Sequence, residues 1–176
     1  MSRKIVIPWK INERLERLAQ LQQETNGALL YVPEKRPFGF NYNVRALYMT
    51  GVGTAHNVQA DPRRMEIVNI FFEKHPGYGF VKWHTHCRET GEQWYEKFSQ
   101  GDINSYKWQL RQDRRFVGMM ISPTRKQLYG YGDLGFATIR SPTSDLLEDR
   151  ISDELRHIAE QLGYVNLPPL LATERR

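Results

Sequence analysis

Two short runs in this chain carry residues whose types and spacing can do chemistry: His84-Thr85-His86, and Ser99-Gln100-Gly101-Asp102. If Val81 to His86 is a β-strand, the period of two sets His84 and His86 side by side on one face, with Trp83 and Thr85 on the other. Two imidazoles so placed form a claw for a metal ion. Ser99 followed three positions later by Asp102 opens a helix, and a carboxylate in that first turn can complete a two-histidine, one-carboxylate site of the kind zinc accepts. The same pattern also reads as a plain serine cap with an acid behind it. The two readings are compatible, because a cap fixes the first turn and so aims Asp102.

The wider composition narrows what such a site can be. The chain has 176 residues, 40% of them hydrophobic and 26% charged, which suffices for one well-buried core and points to a single domain over residues 1–163 with a tail over 164–176. One cysteine, Cys87, cannot form an internal disulfide, and it rules out a cluster of thiolates as the metal ligands. Nitrogen and oxygen ligands remain. The apolar runs are short and the first ten residues lack the long apolar region of a signal peptide, which points to the cytoplasm and away from a membrane. A net charge of +5 favours an acidic partner. The positive charges are spread thinly, however, and the densest knot, around Arg111, Arg114 and Arg115, does not interleave with aromatics, so nucleic acid is not the expected partner.

The elements that must position these residues follow from periodicity. Residues 3–7 predict a strand, and Ile11, Leu15, Leu18 and Leu21 predict an amphipathic helix over 9–23 that stops near Asn26-Gly27. Residues 28–32 predict a short strand ended by Pro33, and residues 34–43, with Pro37 and Gly39, predict a loop. A strand over 44–49 follows, with a bend or bulge at Gly51-Val52-Gly53. Asp61-Pro62 starts a helix that ends at His75-Pro76-Gly77. After the histidine strand comes an exposed loop from Cys87 to Phe98, then a helix over 99–110. Strands are predicted over 116–121, 126–131 and 136–140, and a last helix runs from Ser141-Pro142 to Gly163. Strands and helices mix without regular alternation, which predicts an α+β or three-layer fold rather than a doubly wound sheet.

A third run, Glu24-Thr25-Asn26-Gly27-Ala28-Leu29-Leu30, lies between the first helix and the next strand. Glu-Thr-x-Gly-x-Leu-Leu, then His-Thr-His, then Ser-x-x-Asp, with a later strand ending in Ser122-Pro123, resembles the JAMM (MPN-plus) family of zinc metalloproteases. The resemblance spans roughly residues 3–131. It implies a cytidine-deaminase-like fold, a three-layer α-β-α arrangement with a mixed β-sheet flanked by helices. It also implies that His84, His86 and Asp102 hold one zinc ion, that Glu24 is the general base, and that Ser99 assists at the oxyanion. The family usually has proline after the second histidine and a shorter interval before the serine. Here Cys87 follows His86, and residues 87–98 intervene.

What the resemblance implies for activity is an isopeptidase that cuts after the C-terminal glycine of a ubiquitin-like modifier attached to a protein. The same residues suit a peptidase that trims the C-terminal extension of a sulfur-carrier precursor, and a catalytically silent scaffold of the same type is the reading from another class. The residues themselves support metal-assisted amide hydrolysis. The substrate would be a ubiquitin-like or sulfur-carrier protein, and a homo-oligomer is left open. The unusual 87–98 loop, which carries Trp94 and Tyr95, is where substrate selection is expected.

Overall fold

A computed structural model describes residues 2–54, 57–87, 96–140, 144–164 and 167, with the side chains of 144 and 145 excepted. Its elements run β1 (Ser2–Pro8), α1 (Trp9–Leu18), β2 (Thr25–Arg36), β3 (Gly39–Val52), α2 (Pro62–Lys74), β4 (Gly79–Thr85), α3 (Gln100–Gln112), β5 (Val117–Ile121), β6 (Lys126–Gly130), β7 (Asp133–Ile139) and α4 (Ser144–Gln161).

All seven strands form one sheet in the order β6-β5-β4-β2-β3-β1-β7. It is mixed: β1 runs parallel to both β3 and β7, β4 runs parallel to β5, and the remaining pairs are antiparallel. Strands β6 and β7 lie at opposite ends of that order, yet only Tyr131 and Gly132 separate them along the chain. The three steps from Gly130 to Asp133 span at most about 11 Å, so the sheet must curl until its ends meet. Gly132 makes the turn in the left-handed region, at φ 72°, which costs glycine nothing.

This curl corrects the expected three-layer α-β-α arrangement. The sheet is a nearly closed barrel with four helices, because the two-residue link leaves no flat layer for helices to sandwich. The barrel's inside is the main core. Ile5, Leu29, Val44, Val81, Trp83 and Met119 from β1 to β5 converge there with Ile11 and Leu15 of α1. On the outer face, Ala28, Leu30 and Ala46 are covered by Ile67 and Phe71 of α2 and by Ile151 and Leu155 of α4. The alternation along β2, Leu29 inward and Leu30 outward, is the period of two serving both faces.

Several boundaries also differ from the sequence expectation. Helix α1 stops at Leu18, five residues short of 23, and Asn26-Gly27 lies within β2. Residues 34–43 are no loop. β2 and β3 form one long hairpin turning at Pro37-Phe38. Pro33 is tolerated in β2 because β4 pairs with β2 only as far as Tyr31, so its missing N–H falls where that side of the strand is free. Asp61 caps α2 as expected, accepting from the Arg63 N–H at 2.9 Å, and Pro62 occupies the first turn. Helix α4 ends just before Gly163, which has φ 77°. Its expected start at Ser141-Pro142, most of the 87–98 loop with Trp94 and Tyr95, and most of the tail lie outside the described residues.

Candidate metal centre

The histidine pair sits where β4 ends. His84 lies within the strand, and His86 lies just past it, held by its backbone N–H donating to the Ile121 carbonyl of β5 at 2.9 Å. Both rings are buried. Their Nε2 atoms face each other at 3.1 Å.

Asp102 arrives from α3, and the cap aims it. Ser99 Oγ accepts from the Asp102 N–H at 3.1 Å, while the Asp102 carboxylate accepts from the Ser99 N–H at 2.8 Å and from its hydroxyl at 2.7 Å. This is the reciprocal capping box, which holds the side chain as well as the backbone. So held, Asp102 places Oδ1 at 3.3 Å from His84 Nε2 and Oδ2 at 3.4 Å from His86 Nε2. A tetrahedron about a zinc ion with bonds of about 2.0–2.1 Å has edges of roughly 3.3–3.4 Å. The three separations are close to those edges, although the carboxylate meets the two rings through different oxygens. One ligand atom from each residue lies within 4.8 Å of the others, so this group, with both histidines buried and Asp102 partly so, could hold a metal ion.

The helix that carries Asp102 is itself fixed by Tyr106, one turn further along the same face. Tyr106 packs with Leu110 and Phe116 in a small aromatic cluster, and its hydroxyl meets His84 Nδ1 at 2.8 Å. That contact orients the ring and directs the other nitrogen, Nε2, at the group, the second contact a metal-binding histidine requires. Gly118 of β5 makes room for it, since a Cβ there would lie 2.4 Å from the Tyr106 ring. Tyr106 went unnoticed in the sequence, although its spacing of four from Asp102 on a helix was a usable signal.

Glu24 enters from the other side, in the turn just before β2. Its backbone is clamped twice against the end of β3: its N–H donates to the Thr54 carbonyl and its carbonyl accepts from the Gly53 N–H, each at 2.9 Å. Thr85, between the two histidines, reaches across to the same segment. Its hydroxyl oxygen accepts from the Thr25 N–H at 2.8 Å and lies 3.1 Å from the Thr25 hydroxyl. The residue turned away from the claw therefore ties the glutamate to it. The neighbouring Gly27 answers to Trp83, because a Cβ there would come within 2.8 Å of the indole ring and 2.1 Å of the Tyr48 carbonyl.

The electrostatics separate the two carboxylates. Burial raises the Glu24 carboxyl from 4.5 to about 7, with His86 pulling it down and Asp102 pushing it up. Burial acts on Asp102 in the same direction, but hydrogen bonds from His84, His86 and Ser99 outweigh it and hold that carboxyl far below its ordinary range. His84 is lowered, chiefly by burial and against the pull of Asp102, so its ring is kept neutral as a ligand must be. Two acids near one site, one a fixed anion and one titrating near neutrality, are suited to different tasks.

All five residues expected at the site, Glu24, His84, His86, Ser99 and Asp102, thus have assigned places. His84, His86 and Asp102 come together in a group that could hold a metal ion. Glu24 is buried within electrostatic reach of His86 and Asp102, and Ser99 caps α3 with its hydroxyl directed at Asp102. Cys87, next to His86, is buried.

No protein-family model matches the chain, and no curated protein matches it. Among solved structures it is similar to protein DSY2949 from Desulfitobacterium hafniense, at 15% identity and a TM-score of 0.48, over 78% of this chain and 94% of that one. That likeness is too distant to bear on function. Among the described residues, no helix is long and apolar enough to cross a membrane.

Proposed function

We propose that this chain is a zinc-dependent amide hydrolase of the JAMM type, an isopeptidase acting after the C-terminal glycine of a ubiquitin-like modifier. The fold that resemblance implied did not form, so the reading rests on the site. The observation that carries it is the convergence of His84, His86 and Asp102 beside a second, buried acid, Glu24, which titrates near neutrality.

The donor set fits zinc: two imidazole nitrogens and one carboxylate would leave a fourth position for water or substrate, the composition of a catalytic rather than a structural site. A zinc ion there supplies Lewis acidity toward an amide carbonyl and acidifies water. The chain's own residues do the rest. Asp102 and the two histidines would hold the ion, and Tyr106, in contact with His84 Nδ1, orients that ring so that Nε2 faces the group. Glu24, with a pKa raised to about 7, can accept a proton from water and return it to the departing amine, since a general base works best near the operating pH. The Ser99 hydroxyl, which now donates to Asp102, would stabilise a developing oxyanion by turning from that carboxylate.

The test is a cleavage assay on a panel of ubiquitin-like conjugates and linear fusions, with and without chelator, alongside zinc analysis of the purified protein. Stoichiometric zinc, cleavage that chelator abolishes, and a Glu24→Gln variant that keeps zinc but loses cleavage are the expected results. Full activity in Glu24→Gln refutes the mechanism. A zinc-loaded protein that cuts none of the panel refutes the substrate.

A further inference from the structure

A second cleft lies at the far end of the same two elements that build the metal centre. It is lined at Gly79 and Phe80, where β4 begins, and at Gln109 and Asp113, where α3 ends. His84 and Asp102 stand at the other ends. At about 3.3 Å per strand residue and 1.5 Å per helix residue, the two sites are on the order of 15 Å apart. The cleft has a volume of about 860 Å³, which suits a ligand the size of a nucleotide.

Its walls combine two chemistries. Phe72, Tyr78, Phe80, Phe116 and Tyr131 give it an aromatic surface, and Tyr131 is 57% exposed at its edge. Its charged lining residues are three arginines, Arg3, Arg114 and Arg115, and one acid, Asp113. Asp113 is turned to Arg115, with Oδ1 at 3.2 Å from its Nε, in an exposed pair that contributes little. The lining therefore carries a net charge of +2.

Arg3 is the most telling of these residues. It is 6% exposed, and its guanidinium donates to the backbone carbonyls of Arg115 and Tyr131. No carboxylate among the described residues pairs with it. Buried cations are ordinarily paired, and two carbonyls engage only two of the five N–H donors of the guanidinium. Gly130 helps to admit this side chain, because a Cβ there would stand 3.2 Å from Arg3 Nη2.

From this cleft we infer a second ligand site, which takes a nucleoside monophosphate: its base against the aromatic wall and its phosphate on Arg3, with Arg114 and Arg115 at the rim. A phosphate monoester is close to dianionic at neutral pH, which balances the lining charge. Guanidinium is the group best matched to its oxygens. Either half alone leaves part of the site unused, since a free nucleoside strands the arginines and a sugar phosphate strands the rings.

Calorimetric titration of the full chain, treated with chelator so that no metal can capture phosphate, tests this. AMP is expected to saturate with a Kd below about 1 mM, and adenosine and ribose 5-phosphate to bind at least about tenfold more weakly. Arg3→Met removes the buried guanidinium. Arg114→Glu reverses an exposed rim charge, and should weaken AMP about tenfold or more. The assignment is overturned by AMP that does not saturate at about 10 mM, by either fragment binding as well as AMP, by binding that requires added zinc, or by an AMP affinity unchanged in Arg114→Glu.

Discussion

Replacing Glu24 with glutamine should change how the metal-free protein's stability depends on pH, by an amount the site predicts. In the folded chain, burial holds this carboxyl protonated up to about pH 7, against 4.5 ordinarily. Below 4.5 the acid is protonated in both folded and unfolded chains, and stability is unaffected by it. Between 4.5 and about 7 the unfolded chain releases the proton while the folded chain keeps it, so stability falls as pH rises, and it levels off above 7. At about 1.4 kcal/mol per pH unit the ceiling is about 3 kcal/mol, and water reaching the open side of the site reduces this to about 2 kcal/mol. Glutamine is the neutral isostere and carries no such term. Urea unfolding of chelator-treated wild type and Glu24→Gln at intervals from pH 4.5 to 8 gives the two curves. His84, lowered from 6.5, pushes the other way and makes the protein more stable as pH rises toward 6.5, whereas Asp102, lowered from 3.8, acts only below the range measured. The difference between the two proteins therefore isolates Glu24. The variant should gain about 2 kcal/mol on wild type across that range, and zinc should shrink the gap by favouring the carboxylate. Parallel curves with no gap would sink the reasoning, because they would mean that Glu24 is as well hydrated folded as unfolded.

Two further substitutions probe how the site is held. Tyr106→Phe removes the hydroxyl at His84 Nδ1 and should weaken zinc binding about 10- to 100-fold with little change in fold; competition with a chelating indicator measures it, and unchanged affinity would make Tyr106 a packing residue alone. Thr85→Val leaves the buried Thr25 N–H without its acceptor and should cost about 1–3 kcal/mol in urea unfolding.

The candidate ligands were legible because their placement depends on local rules. A period of two in a short strand and a serine cap with an acid three residues on need no knowledge of the rest of the chain. His84, His86 and Asp102 meet as those rules imply. The link through Thr85 was hidden because its partner, Thr25, is 60 residues away in sequence. The long β2–β3 hairpin was hidden for a different reason: Pro33, Pro37 and Gly39 mimic a loop, and only the absence of β4 beyond Tyr31 explains why a proline fits there. The barrel was the least legible feature. Nothing local in residues 126–139 tells that their two strands stand at opposite ends of the sheet order, and the resemblance to a known family pointed to a layered arrangement instead.

The place of β1 bears on how the chain reaches this structure during synthesis. Both of its neighbours follow it in the chain: it pairs with β3 only once residues 39–43 exist, and gains β7 only when residues 133–139 have followed. The residues of the metal group, their cap and their tyrosine all precede residue 107, and the β5 carbonyl that holds His86 comes at Ile121. The parts of the candidate metal centre are therefore complete before the sheet can close, and closure must bring together strands separated by more than a hundred residues. Such non-local pairing is slow, in the range of milliseconds to seconds for domains rich in it. Until then β1 presents an unpaired edge carrying Ile5 and Ile7, and the newborn chain is most exposed to aggregation in that interval.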